Sequence, residues 1–244
     1  MAGGADEKWT LLGGTGRRHF QLVAGERVID RIVRQLRERG VEDIWIICPD
    51  DAGYDIEGTH RWAPTYPEWG HEALNGIAIW SDTERTLQVY GDTVFADAAM
   101  DVICGYEPRR FMMFGRFGNG VIKGGGGELF AMSFWPEHRA LWVKAVRESF
   151  RLRDAGIIKR GGSWEGYRYM AGARGRMVGR HKLYPRVFRN LDDRLTDDFD
   201  TPAQFEKLRA LFESSAEPHV SADPAEPLGP SDGPAYVLPS PQHP

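Results

Sequence analysis

Four groups of residues in this chain have types and spacing suited to chemistry. Leu12-Gly13-Gly14-Thr15-Gly16 is a glycine run followed at once by Arg17 and Arg18. Glycines allow close backbone approach and present N–H groups to phosphate, and adjacent guanidiniums pair with phosphate oxygens. By itself the run reads equally as a tight turn. It lacks the G-x-G-x-x-G spacing, and no Lys-Ser or Lys-Thr follows it. Gly91-Asp92 closes the apolar run Thr86–Tyr90. A carboxylate at the C-terminal end of a parallel strand faces the crevice where open α/β sheets take ligands, and there it could hold Mg2+ or Mn2+ against phosphate oxygens. Asp197, Asp198 and Asp200 are the third group. They could complete that metal site; equally, with Asp192 and Asp193, they could neutralise the basic stretch before them.

That stretch, residues 159–189, is the fourth group. Lys159, Arg160, Arg168, Arg174, Arg176, Arg180, Lys182, Arg186 and Arg189 are opposed only by Glu165, with Trp164, Tyr167, Tyr169, Tyr184 and Phe188 interleaved. It has three readings: a solvated face, a holder for a sugar phosphate, or a track for a nucleic-acid backbone with aromatic stacking surfaces. Its six glycines suggest a mobile, irregular segment over the site.

The elements that must position these groups follow from periodicity. Trp9-Thr10-Leu11-Leu12 reads as a short strand leading into the glycine run. Val28, Ile29, Ile32, Val33 and Leu36 form one helical face, closed by Gly40. Residues 43–48 read as a buried strand, which makes the first fifty residues a strand, loop, helix, strand unit with a parallel pair. Further strands are expected at 86–90, 110–114 and 128–134, a short strand or the end of a helix at 77–80, a short helix at 96–104, and a long helix from Pro136 to about Arg153. A last helix is expected at 202–212. The fold class is therefore α/β, a three-layer sandwich around a mostly parallel sheet. Residues 1–213 form one domain, and 214–244 is a proline-rich flexible tail.

Composition bounds the function. Of 244 residues 41% are hydrophobic and 27% charged, which is enough for a sizeable core. Two cysteines make no disulfide framework and imply a reducing compartment, the cytoplasm. No run is long and apolar enough to span a membrane. The formal net charge of −4 means that any nucleic-acid contact must come from a local patch. His71 and His138 have no partner at metal-ligand spacing, and Cys48 and Cys104 read as core thiols.

Taken together and in order, three of these segments resemble the nucleotidyltransferases of the GT-A fold, including sugar-phosphate nucleotidylyltransferases and MobA-like enzymes. The segments are Gly13 to Arg31, with its Gly-Gly-Thr-Gly-Arg opening; Gly91-Asp92, five residues before Asp97; and Asp198-Phe199-Asp200-Thr201-Pro202. The resemblance implies that residues 12–18 bind the nucleotide, with Arg18 at the position of a signature lysine. It also implies that Asp92, Asp198 and Asp200 hold Mg2+ or Mn2+. The interval from Gly16 to Arg18 is shorter than the family's, which favours a nucleoside-diphosphate sugar over a nucleoside triphosphate.

The expected activity is metal-dependent glycosyl transfer to a hydroxyl acceptor, the boldest acceptor being a hydroxyl-bearing modified base in DNA. His19, Asp97 or a late aspartate would take the proton. Trp164, Tyr167, Arg168, Arg174, Arg176 and Arg180 would hold the acceptor. The alternatives are nucleotidyl transfer from a triphosphate to a sugar phosphate with release of pyrophosphate, and a non-catalytic nucleotide or nucleic-acid binder.

Overall fold

The computed structural model describes residues 7–64, 72–118, 122, 127–180, 182 and 184–215. Nearly all of the expected proline-rich tail lies outside them.

The described residues open with helix α1 (Glu7–Leu11) where a strand is expected. A four-residue apolar run cannot distinguish helix from strand by periodicity, and burial decides here. Trp9 is buried, while Leu11 and Leu12 are exposed, so one anchor per turn is all the core receives. The two-residue strands β1 (Leu22–Val23) and β2 (Glu26–Arg27) form a hairpin around Ala24-Gly25. Helix α2 (Val28–Glu38) then buries Val28, Ile29, Ile32, Val33 and Leu36, the face its sequence period marks. Strand β3 (Trp45–Ile47) pairs in parallel with β4 (His60–Trp62).

β5 (Thr86–Val89) leads through Asp92 into β6 (Thr93–Val94) and α3 (Asp97–Cys104). β7 (Met112–Arg116) and β8 (Glu128–Phe134) follow, then α4 (Pro136–Asp154), α5 (Ser163–Met170), β9 (Phe188–Asn190), β10 (Asp197–Asp198) and α6 (Pro202–Ser215). Residues 77–80 form turns and a bend, neither the short strand nor the helix end expected there.

The main sheet has the order β5-β8-β7-β9. β8 is antiparallel to both β5 and β7, and β7 is parallel to β9. The α/β sandwich stands, but its described ladders are mixed rather than mostly parallel. The physical reason is the connection: residues 117–127 are too few to cross the sheet with a helix, so β7 and β8 return on each other. Two apolar clusters cover the sheet. One joins α2, α3 and α6, and the other joins α4 and α5.

The basic segment is not irregular. Helix α5 occupies its first third and packs tightly on α4, where a side chain at Gly166 would press on Val146 and Trp142. Tyr167 and Arg168 are buried there. Arg168 is paired with Glu165 at 3.1 Å, and its Nη1 donates to the carbonyl of Val178.

Candidate functional site

The glycine run caps a helix. Gly14 N–H donates to Trp9 O and Gly13 N–H to Thr10 O, with Gly13 at φ +89°, so the run closes α1 in a Schellman arrangement. The two amides expected to cradle phosphate are thus engaged by carbonyls of the preceding helix. Gly14 must be glycine, because a Cβ would lie 2.3 Å from the Trp9 indole. That indole packs edge-on against Phe199 and Phe205. Thr15 O accepts from Gln21 Nε2 at 3.0 Å, and Leu12 and Gly16 are exposed.

The carboxylates are positioned by a short ladder. β6 and β10 pair antiparallel, Thr93 with Asp198 and Val94 with Asp197, and Phe199 N–H continues the pairing to Asp92 O. This carries Asp200 alongside Asp92 across a large sequence separation. Asp200 is held in turn by the start of α6. Gln204 Oε1 accepts from the amides of Asp200 and Thr201, while Thr201 Oγ1 accepts from Gln204 N, a reciprocal cap.

Arg18 sits between the two carboxylates. Its Nη1 lies 3.2 Å from Asp92 Oδ2 and 3.5 Å from Asp200 Oδ1, and donates to Phe199 O at 3.2 Å. The arginine is buried, whereas Asp92 and Asp200 keep about a third of their side chains open to solvent. Lys8 Nζ approaches Asp200 Oδ2 at 2.9 Å from α1. Sequence reasoning missed Lys8, since it precedes the glycine run within a segment that read as a strand.

Other expected site residues lie elsewhere. His19 is buried, with Nδ1 2.9 Å from the Tyr54 hydroxyl. Asp97 starts α3 and faces α2, where it accepts from Gln35 Nε2 at 2.8 Å and pairs with Arg31 and Arg39. Arg17 pairs with Asp51 at 3.4 Å. The Asp51 carboxyl is held below its ordinary pKa, first by the amide of Gly53 and then by Arg17. Asp197 is fully buried against Arg116, so it serves the scaffold. Asp198 is half-buried beside Thr93.

Among the expected acceptor residues, Trp164 is half-buried and Tyr167 and Arg168 belong to the core, where burial lowers the pKa of Arg168 and raises that of Tyr167. Arg174, Arg176 and Arg180 are exposed on the turn after α5, with Arg174 stacked 3.9 Å from the Tyr169 ring centroid. Lys159, Arg160, Arg176, Arg180, Lys182, Arg186 and Arg189 form no ion pair with a described carboxylate, whereas most arginines elsewhere do.

No protein-family model matches this chain, and no curated protein matches it. Solved structures do. A Bacillus anthracis protein assigned as a glucose-1-phosphate thymidylyltransferase, solved with a sucrose, superposes with a TM-score of 0.58 at 13% identity, over 86% of this chain and 92% of that one. The two chains share a fold. The CTP:phosphocholine cytidylyltransferase LicC of Streptococcus pneumoniae also matches, at 13% identity and a TM-score of 0.48, over 86% of this chain and 96% of that one. In this fold the Arg18, Asp92 and Asp200 cluster lies just past the C-terminal end of β5. Among the described residues no helix is long and apolar enough to cross a membrane.

Proposed function

We propose that the protein is a nucleotidyltransferase that joins a nucleoside triphosphate to a sugar phosphate and releases pyrophosphate. The observation that carries this reading is what surrounds Asp92: paired carboxylates and cations, with His19 and Asp97, two of the expected proton acceptors, engaged elsewhere and the late aspartate Asp200 ion-paired with Arg18 and Lys8. A hydroxyl acceptor needs a base. A phosphate monoester, with a second pKa of about 6, is already ionised at neutral pH and needs none.

In the reaction an oxygen of the sugar phosphate attacks the α-phosphorus. A new P–O bond forms as the bond from the α-phosphorus to the bridging oxygen breaks, and pyrophosphate leaves with the electron pair. Lys8 offsets the charge of the phosphates, and buried Arg18 holds Asp92 and Asp200 side by side. Among the described residues no three His, Cys, Asp or Glu side chains converge. Two half-open carboxylates nevertheless fit Mg2+ or Mn2+, which commonly takes one or two carboxylates and draws its other ligands from phosphate and water. Asp92 and Asp200 would hold it, with Asp198 nearest in sequence, and it would supply neutralisation of charge on the phosphates.

The test is pyrophosphate release from each nucleoside triphosphate with a panel of hexose 1-phosphates, with and without Mg2+ or Mn2+. Metal-dependent release with one pair is expected, together with a melting-point rise on nucleotide binding. Neither signal with any pair overturns the proposal.

A second reading is glycosyl transfer from a nucleoside-diphosphate sugar to a hydroxyl, with hydroxyl-bearing DNA as the acceptor. It is favoured by the engaged amides of Gly13 and Gly14, which offer no cradle for a triphosphate, and by the exposed cations after α5 that pair with no described carboxylate. Release of nucleoside diphosphate from a nucleotide sugar, in place of pyrophosphate release, would select it.

A further inference from the structure

Lys8 and Arg18 share Asp200, one on each oxygen. Lys8 Nζ is 2.9 Å from Oδ2, and Arg18 Nη1 is 3.5 Å from Oδ1. Arg18 is a fixture. Its side chain is 9% exposed, its Nη1 donates to Phe199 O at 3.2 Å, and the same nitrogen lies 3.2 Å from Asp92 Oδ2. Moving it would leave a buried guanidinium without its carboxylates. Lys8 is held far less firmly. Its side chain is 61% exposed on the short helix α1, and Trp9 rather than Lys8 anchors that helix in the core. An exposed lysine–carboxylate pair contributes little to stability, so the long side chain gives way at small cost.

The charges of these four groups cancel. Asp92 and Asp200 bring two negative charges, and Arg18 and Lys8 bring two positive ones. A divalent cation arriving alone would therefore meet a neutral cluster and compete with Lys8 for Asp200 Oδ2. It would also leave an excess of two positive charges once Arg18, Lys8 and both carboxylates are counted with it. A polyphosphate arriving with the cation removes that excess. It offers the released ammonium a new partner as well, since a lysine carries three donors that suit phosphate oxygens.

We infer that Lys8 is a displaceable counter-ion of the cation site: it covers Asp200 Oδ2 until a divalent cation enters together with a polyphosphate, and its ammonium then passes from the carboxylate to the phosphate. Lys8 thereby keeps cation affinity low in the absence of polyphosphate and couples the two ligands. By linkage, polyphosphate tightens cation binding by the same factor by which the cation tightens polyphosphate binding. This role rests on the reading of Asp92 and Asp200 as cation ligands, and not on the identity of the sugar phosphate.

The test uses the full chain with two probes, Mn2+ alone and the Mg2+ complex of inorganic tripolyphosphate, and with no nucleotide or sugar phosphate. Electron paramagnetic resonance reads Mn2+ binding, and calorimetry reads tripolyphosphate binding. Lys8 is exposed, so its replacement leaves the fold in place. Lys8→Met should bind Mn2+ alone at least about fivefold more tightly than the parent, the low end of coupling between sites. It should bind Mg2+-tripolyphosphate more weakly. Opposite signs from one substitution follow from a counter-ion and not from a merely structural role. Lys8→Arg, which keeps the charge, should resemble the parent with both probes. Lys8→Met combined with Asp200→Asn should lose the gain in Mn2+ affinity. Mn2+ binding that is unchanged or weaker in Lys8→Met, a gain that survives Asp200→Asn, or tripolyphosphate binding that does not weaken overturns the role of Lys8. Absence of Mn2+ binding in parent and variants alike refutes the cation reading with it. Failure of pyrophosphate release with every sugar phosphate would refute the proposed reaction and leave both titrations as they are.

Discussion

Replacing Asp197 with asparagine keeps the side-chain volume and removes one buried negative charge. Asp197 is fully buried, and the Arg116 side chain is 9% exposed. Asp197 Oδ2 accepts from Arg116 Nη1 and from the amide of Ile122, both at 3.1 Å, and its Oδ1 accepts from Asp198 N at 3.1 Å. Arg116 Nη2 is held by the carbonyls of Asp193 and Thr196. An amide at this position leaves the guanidinium without its counter-charge and turns an NH2 toward donors. Breaking one side of a buried pair costs about 3–5 kcal/mol. Against a total stability of about 5–15 kcal/mol that is a large share. At about 2–4 °C per kcal/mol for a chain of this size, the melting temperature should fall by roughly 6–20 °C. Urea unfolding measures the loss as a lowered midpoint with an unchanged slope. The pair Arg116→Met with Asp197→Leu should recover only part of it, since it removes both charges but leaves the amides of Ile122 and Asp198 and the carbonyls of Asp193 and Thr196 without these partners. A loss below about 1 kcal/mol for Asp197→Asn would refute the claim that this carboxylate is scaffold rather than ligand.

Asp92→Asn, at a half-open site, should cost stability no more than about 1 kcal/mol yet abolish metal-dependent turnover; retention of full activity in the coupled pyrophosphate assay would remove Asp92 from the site. Gly14→Ala drives a methyl into the Trp9 indole and should destabilise by about 1–3 kcal/mol, read from the urea midpoint, with an unchanged midpoint as the contrary result. Burial pushes the thiols of Cys48 and Cys104 above their ordinary pKa, so both should react more slowly with a disulfide reagent at pH 7 than free cysteine, and faster as pH rises; a stoichiometric burst at pH 7 would contradict this. If the exposed cations bind DNA, Arg176→Ala, Arg180→Ala and Arg186→Ala together should flatten the salt dependence of binding by up to about 0.9 per arginine, measured by fluorescence anisotropy; an unchanged slope excludes them from the contact.

Helix α2 was legible in the sequence because a strong 3.6-residue period needs no partner to be recognised, and α4 because proline marks its first turn. β5, β7 and β8 were legible as apolar runs of strand length, and the order of Arg18, Asp92 and Asp200 was legible as a pattern of residue types. What joins those three residues was not. The two-residue ladder of β6 and β10 is a long-range pairing with no local signature, and with Arg18 and the cap on α6 it places Asp200 against Asp92. Tertiary packing also decided which charges serve the scaffold. The arginines of residues 159–189 look alike in sequence, yet Arg168 is buried on Glu165 while Arg176 and Arg180 face solvent. The same holds for the glycine run, whose composition suits either a phosphate cradle or a helix end. It became a helix end because Trp9 found Phe199 and Phe205 to pack against, about 190 residues away in sequence, and no local propensity encodes such a contact.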